Sequence, residues 1–118
     1  NLKPISIVCV NLYNIERELE KYYSKDTNYK SIYYDPTISN NPILSNIDIG
    51  GSALIRSACK NYKNVLPVVD TEDYTDILEI ISNNGFFELS YKKKLAAKAF
   101  DYITTNDMMI PNILTKAK

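Results

Sequence analysis

Residues Ile47–Ser52 have the sequence IDIGGS and run directly into ALIRSACKN at Ala53–Asn61. The chain has 3 glycines in all, and two of them are adjacent in this stretch. A Gly-Gly pair after a short apolar run is typical of a tight turn, where backbone can approach a ligand closely. The residues after the pair carry apolar side chains at helical spacing, namely Leu54, Ile55, Ala58 and Cys59. The stretch therefore predicts a turn followed by a helix.

A helix that opens on such a turn has the properties of an anion-binding site. Its first N–H groups have no partner within the helix, and the helix dipole places positive charge at that end. Asp48 precedes Gly50 and Gly51, and Lys60 follows on the same side of the helix as Arg56. An acid and a base therefore accompany a group of N–H donors. On residue types alone the pattern favours an ordinary turn without a ligand, and the anion site is the alternative.

Length and composition restrict the class of protein. A chain of 118 residues corresponds to one domain or less, and 45% apolar with 24% charged residues indicates a globular fold. The 14 basic residues balance the 14 acidic ones, so no overall field favours nucleic acid or an anionic membrane. The absence of histidine excludes His-based triads, His metal sites and His proton shuttles within this chain.

Cellular location is predicted from the cysteines and from the apolar runs. Cys9 and Cys59 both lie in apolar stretches, which predicts reduced, buried thiols in a cytoplasmic protein, with a disulfide as the alternative. No apolar run approaches the roughly 20 residues that span a bilayer, and no signal peptide is visible, so no membrane partner is expected. The sequence begins at Asn1 and enters an apolar strand within a few residues. We therefore expect it to be the later part of a longer chain.

The first strand is predicted at Ile5–Val10, a run of mostly β-branched residues typical of a strand buried on both faces of a parallel sheet. Asn11 and Tyr13 follow it. Because open α/β sheets bind ligands beyond the carboxyl ends of their strands, both are candidate ligand contacts. The alternative is that Asn11 caps the turn and Tyr13 packs with its hydroxyl group outward.

The segment after this strand has the pattern of a charged surface helix at 15–23 and of a polar loop at 24–46. Its tyrosines and lysines raise the alternative of a stacking surface for single-stranded nucleic acid. Glu20, Asp26 and Asp35 cancel the positive charge. We therefore expect a surface insertion and no nucleic-acid partner.

A second strand and a helix are predicted next. The strand is Asn64–Asp70, in which Pro67 indicates an edge or a distorted position because proline cannot donate a ladder hydrogen bond. Asp70 and Thr71 offer an N-cap for the helix, and Gly85 is its predicted end. The apolar face of that helix is expected at Tyr74, Ile77, Leu78 and Ile81.

The last third of the chain is predicted to be helical. Leu89–Thr104 carries an apolar stripe, and Pro111 is expected to end or kink the helix. The stripe consists of Tyr91, Leu95, Ala99 and Tyr102. Alternation of strands and helices predicts an α/β fold. No phosphate-binding loop, dinucleotide motif or metal-ligand spacing occurs, so neither a metal nor a cofactor is expected.

Four stretches resemble, in order, the inosine monophosphate cyclohydrolase domain of a bifunctional purine-synthesis enzyme that also carries a formyltransferase. Val10–Tyr13 resembles its VVNLYPF, Asp48–Asn61 its IDIGG…LLRAAAKN, the segment around Asp70 its VTVVVDPEDYDKVL, and Lys94–Phe100 its RLALKAF. The resemblance implies the later half of a parallel-sheet domain similar to methylglyoxal synthase, followed by helices. It implies one partial domain over 1–118, with sheet region at 1–70, an insertion at about 24–46 and a helical extension at 71–118.

The chain departs from the family pattern at several points. Asn14-Ile15 replaces Pro-Phe, and Tyr62 replaces the histidine of a KNH pattern. The phosphate-binding STGGT loop and the RVKTLHP lysine of the preceding half are not in this sequence.

The resemblance implies a ring closure, in which the carboxamide nitrogen of formamido-imidazole-carboxamide ribotide attacks the formyl carbon and water leaves. By resemblance, Lys60 and the N–H groups at Ile49-Gly50-Gly51 would stabilise the developing oxygen charge. Asp48 would orient or deprotonate the amide, Tyr13 would assist proton transfer, and Asn11 would hold the base. The implied partners are a purine ribotide and either a second copy or the remainder of a longer chain. A non-catalytic nucleotide-sensing or assembly module is the alternative.

Overall fold

The computed structural model describes residues 2–18 and 42–115. Its elements are β1 (Ile7–Cys9), α1 (Pro42–Ser45), α2 (Ile49–Lys60), β2 (Leu66–Val68), α3 (Tyr74–Asn83) and α4 (Leu89–Thr115). A helical turn covers residues 15–18, and a 3-10 turn at Thr71–Asp73 leads into α3. The α/β class predicted from the sequence is confirmed.

The two strands form a parallel sheet. Ile7 lies opposite Leu66, and Cys9 lies opposite Val68. All of β2 is buried, whereas Ile7 and Val8 are half-buried and Cys9 is exposed. The expectation that the first strand is buried on both faces is therefore wrong, as is the expectation of a buried Cys9. The reason is that, within the described residues, β1 has a single sheet neighbour.

The chain divides into two compact units. The first contains Asn1–Leu12 and Ile49–Tyr102, and the second contains Tyr13–Asp48 and Ile103–Lys118. The first unit therefore combines both strands with helices from either side of residue 70. A division of the chain into 1–70 and 71–118 does not coincide with these units.

The first unit has its core between the sheet, α3 and α4. The core residues are Leu66, Val68, Ile77 and Leu95, with Ile7, Tyr74, Phe87 and Tyr91 packed against them. From α2, the side chains of Ile55, Ala58 and Cys59 are buried. Leu54, Leu78 and Ile81 were expected on apolar faces but are exposed. The buried stripes of α2 and α3 are thus narrower than the sequence periodicity predicts.

Asp70 caps the 3-10 turn that precedes α3 and Gly85 ends α3, whereas Asp73, the residue before α3, makes no side-chain capping bond. The Asp70 carboxylate accepts a hydrogen bond of 2.9 Å from the backbone N–H of Glu72. At the other end, Gly85 has a φ of 67° and its N–H donates to the carbonyl of Ile80 at 2.9 Å. Only glycine adopts that φ without steric cost, so Gly85 is the predicted stop.

In the second unit, the side chain of Asn106 makes two hydrogen bonds to the backbone. Its side-chain nitrogen donates to the carbonyl of Tyr13 at 3.0 Å, and its oxygen accepts from the N–H of Ile15 at 3.4 Å. Asn14 caps the helical turn at 15–18, because its oxygen accepts from the N–H of Arg17 at 3.0 Å. A small apolar core lies beside these bonds and contains Ile15, Ile43 and Ile113, with Met109 and Ile110 packed against it.

One predicted boundary is wrong, and one of the two alternatives predicted at Pro111, the end of the helix, is excluded. Helix α4 continues through Pro111 to Thr115, although an internal proline costs about 3 kcal/mol. The buried Ile113 of the second core offsets that cost, because it is only 6% exposed. Pro42–Ser45 was expected to be loop and is helical. The remainder of the predicted insertion, 24–41, lies outside the described residues, as do residues 19–23 of the predicted surface helix.

No helix in the described part of the chain is long and apolar enough to cross a membrane.

Candidate active site

The carboxyl end of the sheet carries a hydrogen-bonded chain of three side chains in the first unit. The hydroxyl group of Tyr74 donates to the Asn11 side-chain oxygen at 3.2 Å and lies 3.0 Å from the Cys9 sulfur. Either the phenol or the thiol can supply the proton between Tyr74 and Cys9. The pKa of Tyr74 is raised, chiefly by its hydrogen bond with Cys9 and further by desolvation. Tyr74 therefore keeps its proton and remains a donor at neutral pH.

A second polar cluster follows the end of β2. The Lys98 ammonium lies 2.8 Å from a carboxylate oxygen of Asp70 and 2.8 Å from one of Asp73. The hydrogen bond from Lys98, followed by that from the Glu72 N–H, lowers the pKa of Asp70. Burial alone would lower the pKa of Lys98, but the bonds to Asp70 and Asp73 outweigh it and the pKa is raised. This cluster joins α4 to the start of α3.

Acid pH is expected to weaken the Asp70–Lys98 pair. The pKa of Asp70 is lowered by folding, so its contribution is present above the ordinary value of 3.8 and is lost as the pH falls below it. Lys98 is partly exposed, so the pair contributes about 1 kcal/mol or less. We expect Asp70→Asn, which keeps a capping oxygen, to lower the urea midpoint at pH 7 and to leave it nearly unchanged at pH 2.5.

The matched control for this change is Asp101→Asn, because Asp101 is exposed on the same helix as Lys98. It is expected to leave the midpoint unchanged at both pH values. An equal loss from Asp70→Asn at pH 7 and at pH 2.5 would show that the charge of Asp70 has no part in stability.

The predicted anion-binding stretch forms the beginning of α2. Gly50 and Gly51 lie inside the first turn of the helix and not in a separate turn before it. An added Cβ at Gly50 would meet nothing within 4 Å. Ile49 is 75% exposed and Asp48 is half-buried just ahead of it. The positive end of the helix dipole therefore lies at these residues, and the predicted tight turn before the helix is not formed.

The path of the chain fixes which end of the sheet each part of α2 occupies. Strands β1 and β2 are parallel and α2 lies between them in sequence, so α2 must run back from the carboxyl ends to the amino ends. Its first residues, Ile49 and Gly50, therefore lie toward the same end of the sheet as Asn11. This is the end at which open α/β sheets bind ligands.

Lys60 lies at the opposite end of α2. It is the last residue of the helix and is separated from Ile49 by 11 residue steps, or about 16 Å at the usual helical rise. A lysine side chain reaches roughly 6 Å, which is too short to span that distance. The expectation that Asp48 and Lys60 flank one turn of a single chain is therefore wrong.

Tyr13 belongs to the second unit and its side chain is 54% exposed. Its backbone carbonyl is held by Asn106, as described above. Asn11 is also exposed, but its side-chain oxygen bonds to Tyr74. The hydrogen bond from Tyr74 accounts for the position of the Asn11 side chain without a capping role in the turn after β1.

An apolar groove of about 190 Å³ lies between β1 and the second half of α2. Val8, Leu54 and Asn61 are among its lining residues, and none of the predicted site residues lines it. In the ranges 2–18 and 42–115, no group of three or more metal-ligating side chains comes together.

Tyr74 is the residue of this region that sequence reasoning missed. The sequence assigned it to the apolar face of α3, and its ring does pack against the core. Its hydroxyl group, however, contacts side chains that are 63 and 65 residues away. The sequence did offer one indication. In a parallel sheet, the residues that follow the first strand lie at the same end as the residues that follow the second strand, where this helix begins.

Comparison with known proteins gives matches over nearly the whole chain. A family profile described as AICARFT/IMPCHase bienzyme matches residues 58–118. The bifunctional purine biosynthesis protein PurH of Lactobacillus acidophilus is 40% identical over 116 residues, and PurH of Limosilactobacillus reuteri is 39% identical over 116. PurH of Listeria monocytogenes is 36% identical over 115 residues. Each match covers 98% of this chain and 20% of the relative, so the chain spans about a fifth of their length.

A solved structure, the crystal structure of ForH, has a similar fold. It matches with a TM-score of 0.61 over 93% of this chain and 50% of that one. The sequence identity is 24%, so this likeness concerns the fold alone.

Proposed function

Because this chain belongs to the AICARFT/IMPCHase bienzyme family, we propose that it forms part of an inosine monophosphate cyclohydrolase acting in purine biosynthesis in the cytoplasm. The relatives named as bifunctional purine biosynthesis proteins support this proposal. The structural observation that supports it is the exposed first turn of α2 at Ile49 and Gly50, which the carboxylate residue Asp48 precedes in the chain.

The proposed reaction is an intramolecular condensation. The carboxamide nitrogen of formamido-imidazole-carboxamide ribotide attacks the formyl carbon and a C–N bond forms. One proton from that nitrogen and one from the formamido nitrogen reach the formyl oxygen, whose C–O bond breaks to release water while a C=N double bond forms in the new ring. Since both reacting groups belong to one molecule, catalysis consists of orienting them and stabilising the oxygen charge that develops. Neither a metal nor a cofactor enters this proposal.

The proposed roles follow from the chemistry of each group. Asp48 accepts a proton from the carboxamide nitrogen. The N–H groups at Ile49-Gly50-Gly51 donate to the formyl oxygen as its charge grows, and the positive end of the α2 dipole favours the same charge. Tyr13 returns a proton to the leaving oxygen, and Asn11 holds the base.

In this proposal, the Lys60 that acts at the reacting oxygen comes from a different copy of the chain. It lies at the other end of α2 from Ile49, so it cannot reach the oxygen held by the first turn of its own helix. We propose a homodimer in which Lys60 of a second copy adds its ammonium charge at that oxygen. The family resemblance of the segment ending at Lys60 supports keeping this residue in the mechanism.

The proposal is tested by incubating the native protein with the formamido ribotide and following inosine monophosphate by its absorbance. We expect turnover that depends on the protein and needs no added metal or cofactor. Tight binding of inosine monophosphate without turnover would replace the proposal by a nucleotide-sensing module, and neither binding nor turnover would exclude both functions.

A further inference from the structure

The inference concerns the orientation of the Asn11 side chain and rests on the proposed function. An asparagine amide offers an acceptor on one side and two N–H donors on the other, so the side that faces a ligand decides what it recognises. In this structure the Asn11 oxygen accepts a hydrogen bond of 3.2 Å from the Tyr74 hydroxyl group. The amide nitrogen is therefore turned away from Tyr74, and Asn11 is exposed.

The hydroxyl group that sets this orientation is itself held from two directions. The ring of Tyr74 packs against the buried cluster of Leu66, Val68, Ile77 and Leu95. On the side facing the end of β1, the Cys9 sulfur lies 3.0 Å from the Tyr74 oxygen. A donor fixed by core packing and by a second hydrogen bond loses little freedom when it binds Asn11.

We propose that Tyr74 is a positioning residue that fixes the Asn11 amide with its nitrogen toward the ligand, so that this subsite recognises a hydrogen-bond acceptor. The ribotide substrate of the proposed function presents such acceptors, in its carboxamide oxygen and its imidazole nitrogen. A ligand that offers only a donor at this point would meet the N–H groups of Asn11 and leave them unpaired.

Tyr74→Phe in the native protein tests this inference, because it removes one hydroxyl group and keeps the ring in the core. We expect KM for the ribotide to rise about 3- to 10-fold, the range of one hydrogen bond, with kcat changed less than 2-fold. Asn11→Ala is expected to raise KM at least as much. Tyr74→Phe added to Asn11→Ala is expected to cause no further rise, because Tyr74 acts only through Asn11.

Tyr91→Phe is the matched control. Tyr91 packs against the same core cluster, and its buried hydroxyl group has no hydrogen-bond partner among the described residues. The change is expected to leave KM unaltered. It measures the effect on KM of losing a tyrosine hydroxyl group from this core when that group does not contact Asn11.

An unchanged KM in Tyr74→Phe would overturn the inference, and so would a rise that adds fully to that of Asn11→Ala. Neither result would contradict the proposed function, because the unaltered protein would still close the ring. Absence of ring closure in the unaltered protein would overturn both.

Discussion

Asp48→Asn and Lys60→Ala are each expected to lower ring closure by the native protein by about 100-fold or more. The first change removes the proposed base, and the second removes a positive charge from the developing oxygen. Neither side chain is fully buried, because Asp48 is half-buried and Lys60 is exposed. Neither substitution is therefore expected to unfold the protein.

The same two variants distinguish a shared site from a site within one chain. When the variants are co-expressed, half of the dimers contain one copy of each. If Lys60 comes from the second copy, one site in each mixed dimer is intact and total activity returns to about a quarter of the unaltered value. If both residues served the same chain, every site would lack one of them and activity would stay at the level of the single variants.

The controls for this experiment are Asp107→Asn and Lys93→Ala. Both residues are exposed on α4 and have no part in the proposed reaction. They are expected to leave turnover unchanged. Near-normal turnover of Lys60→Ala would remove Lys60 from the mechanism, and no recovery in the mixed dimers would exclude the shared site.

Ile55→Ala is expected to destabilise the native protein by about 2–5 kcal/mol. Ile55 is 0% exposed, and α2 contacts both strands of the sheet. Removing three carbon atoms there loses transfer free energy and leaves a cavity beneath the helix. The change should be seen as a lower urea midpoint with little change in the slope of the transition.

Leu54→Ala is the matched control for Ile55→Ala, because Leu54 is the adjacent residue and is 53% exposed. It is expected to cost about 1 kcal/mol or less. Equal losses from the two variants would contradict the placement of the α2 face against the sheet.

The sequence was sufficient to predict the elements that depend on local chemistry. The Gly85 stop of α3 follows from capping preferences and is confirmed, and Asp70 does cap the 3-10 turn that leads into α3. Helix α2 follows from apolar spacing after the glycine pair. These predictions succeed because each depends on neighbouring residues and not on distant contacts.

Where the structure departs from what the sequence predicts, the departure depends on contacts between distant parts of the chain. Pro111 remains inside α4 because Ile113 is buried against Ile15 and Ile43. Cys9 is exposed because β1 has one sheet neighbour among the described residues.

The candidate site shows the same limit. The stretch around Asp48 and Gly50 could be singled out from the sequence, but its relation to Lys60 required the length and direction of α2. The bond between Tyr74 and Asn11 joins residues 63 positions apart. No periodicity or local motif indicates such a contact, and only the topology of a parallel sheet brings the two residues to one end.

A crystal structure of the native protein with bound inosine monophosphate tests the central claim most directly. We expect the base at the carboxyl end of the sheet, with an acceptor atom about 3 Å from the Asn11 amide nitrogen and the ring against the N–H groups of Ile49 and Gly50. Inosine monophosphate bound at the amino end of the sheet, away from both Asn11 and the start of α2, would contradict the proposed site.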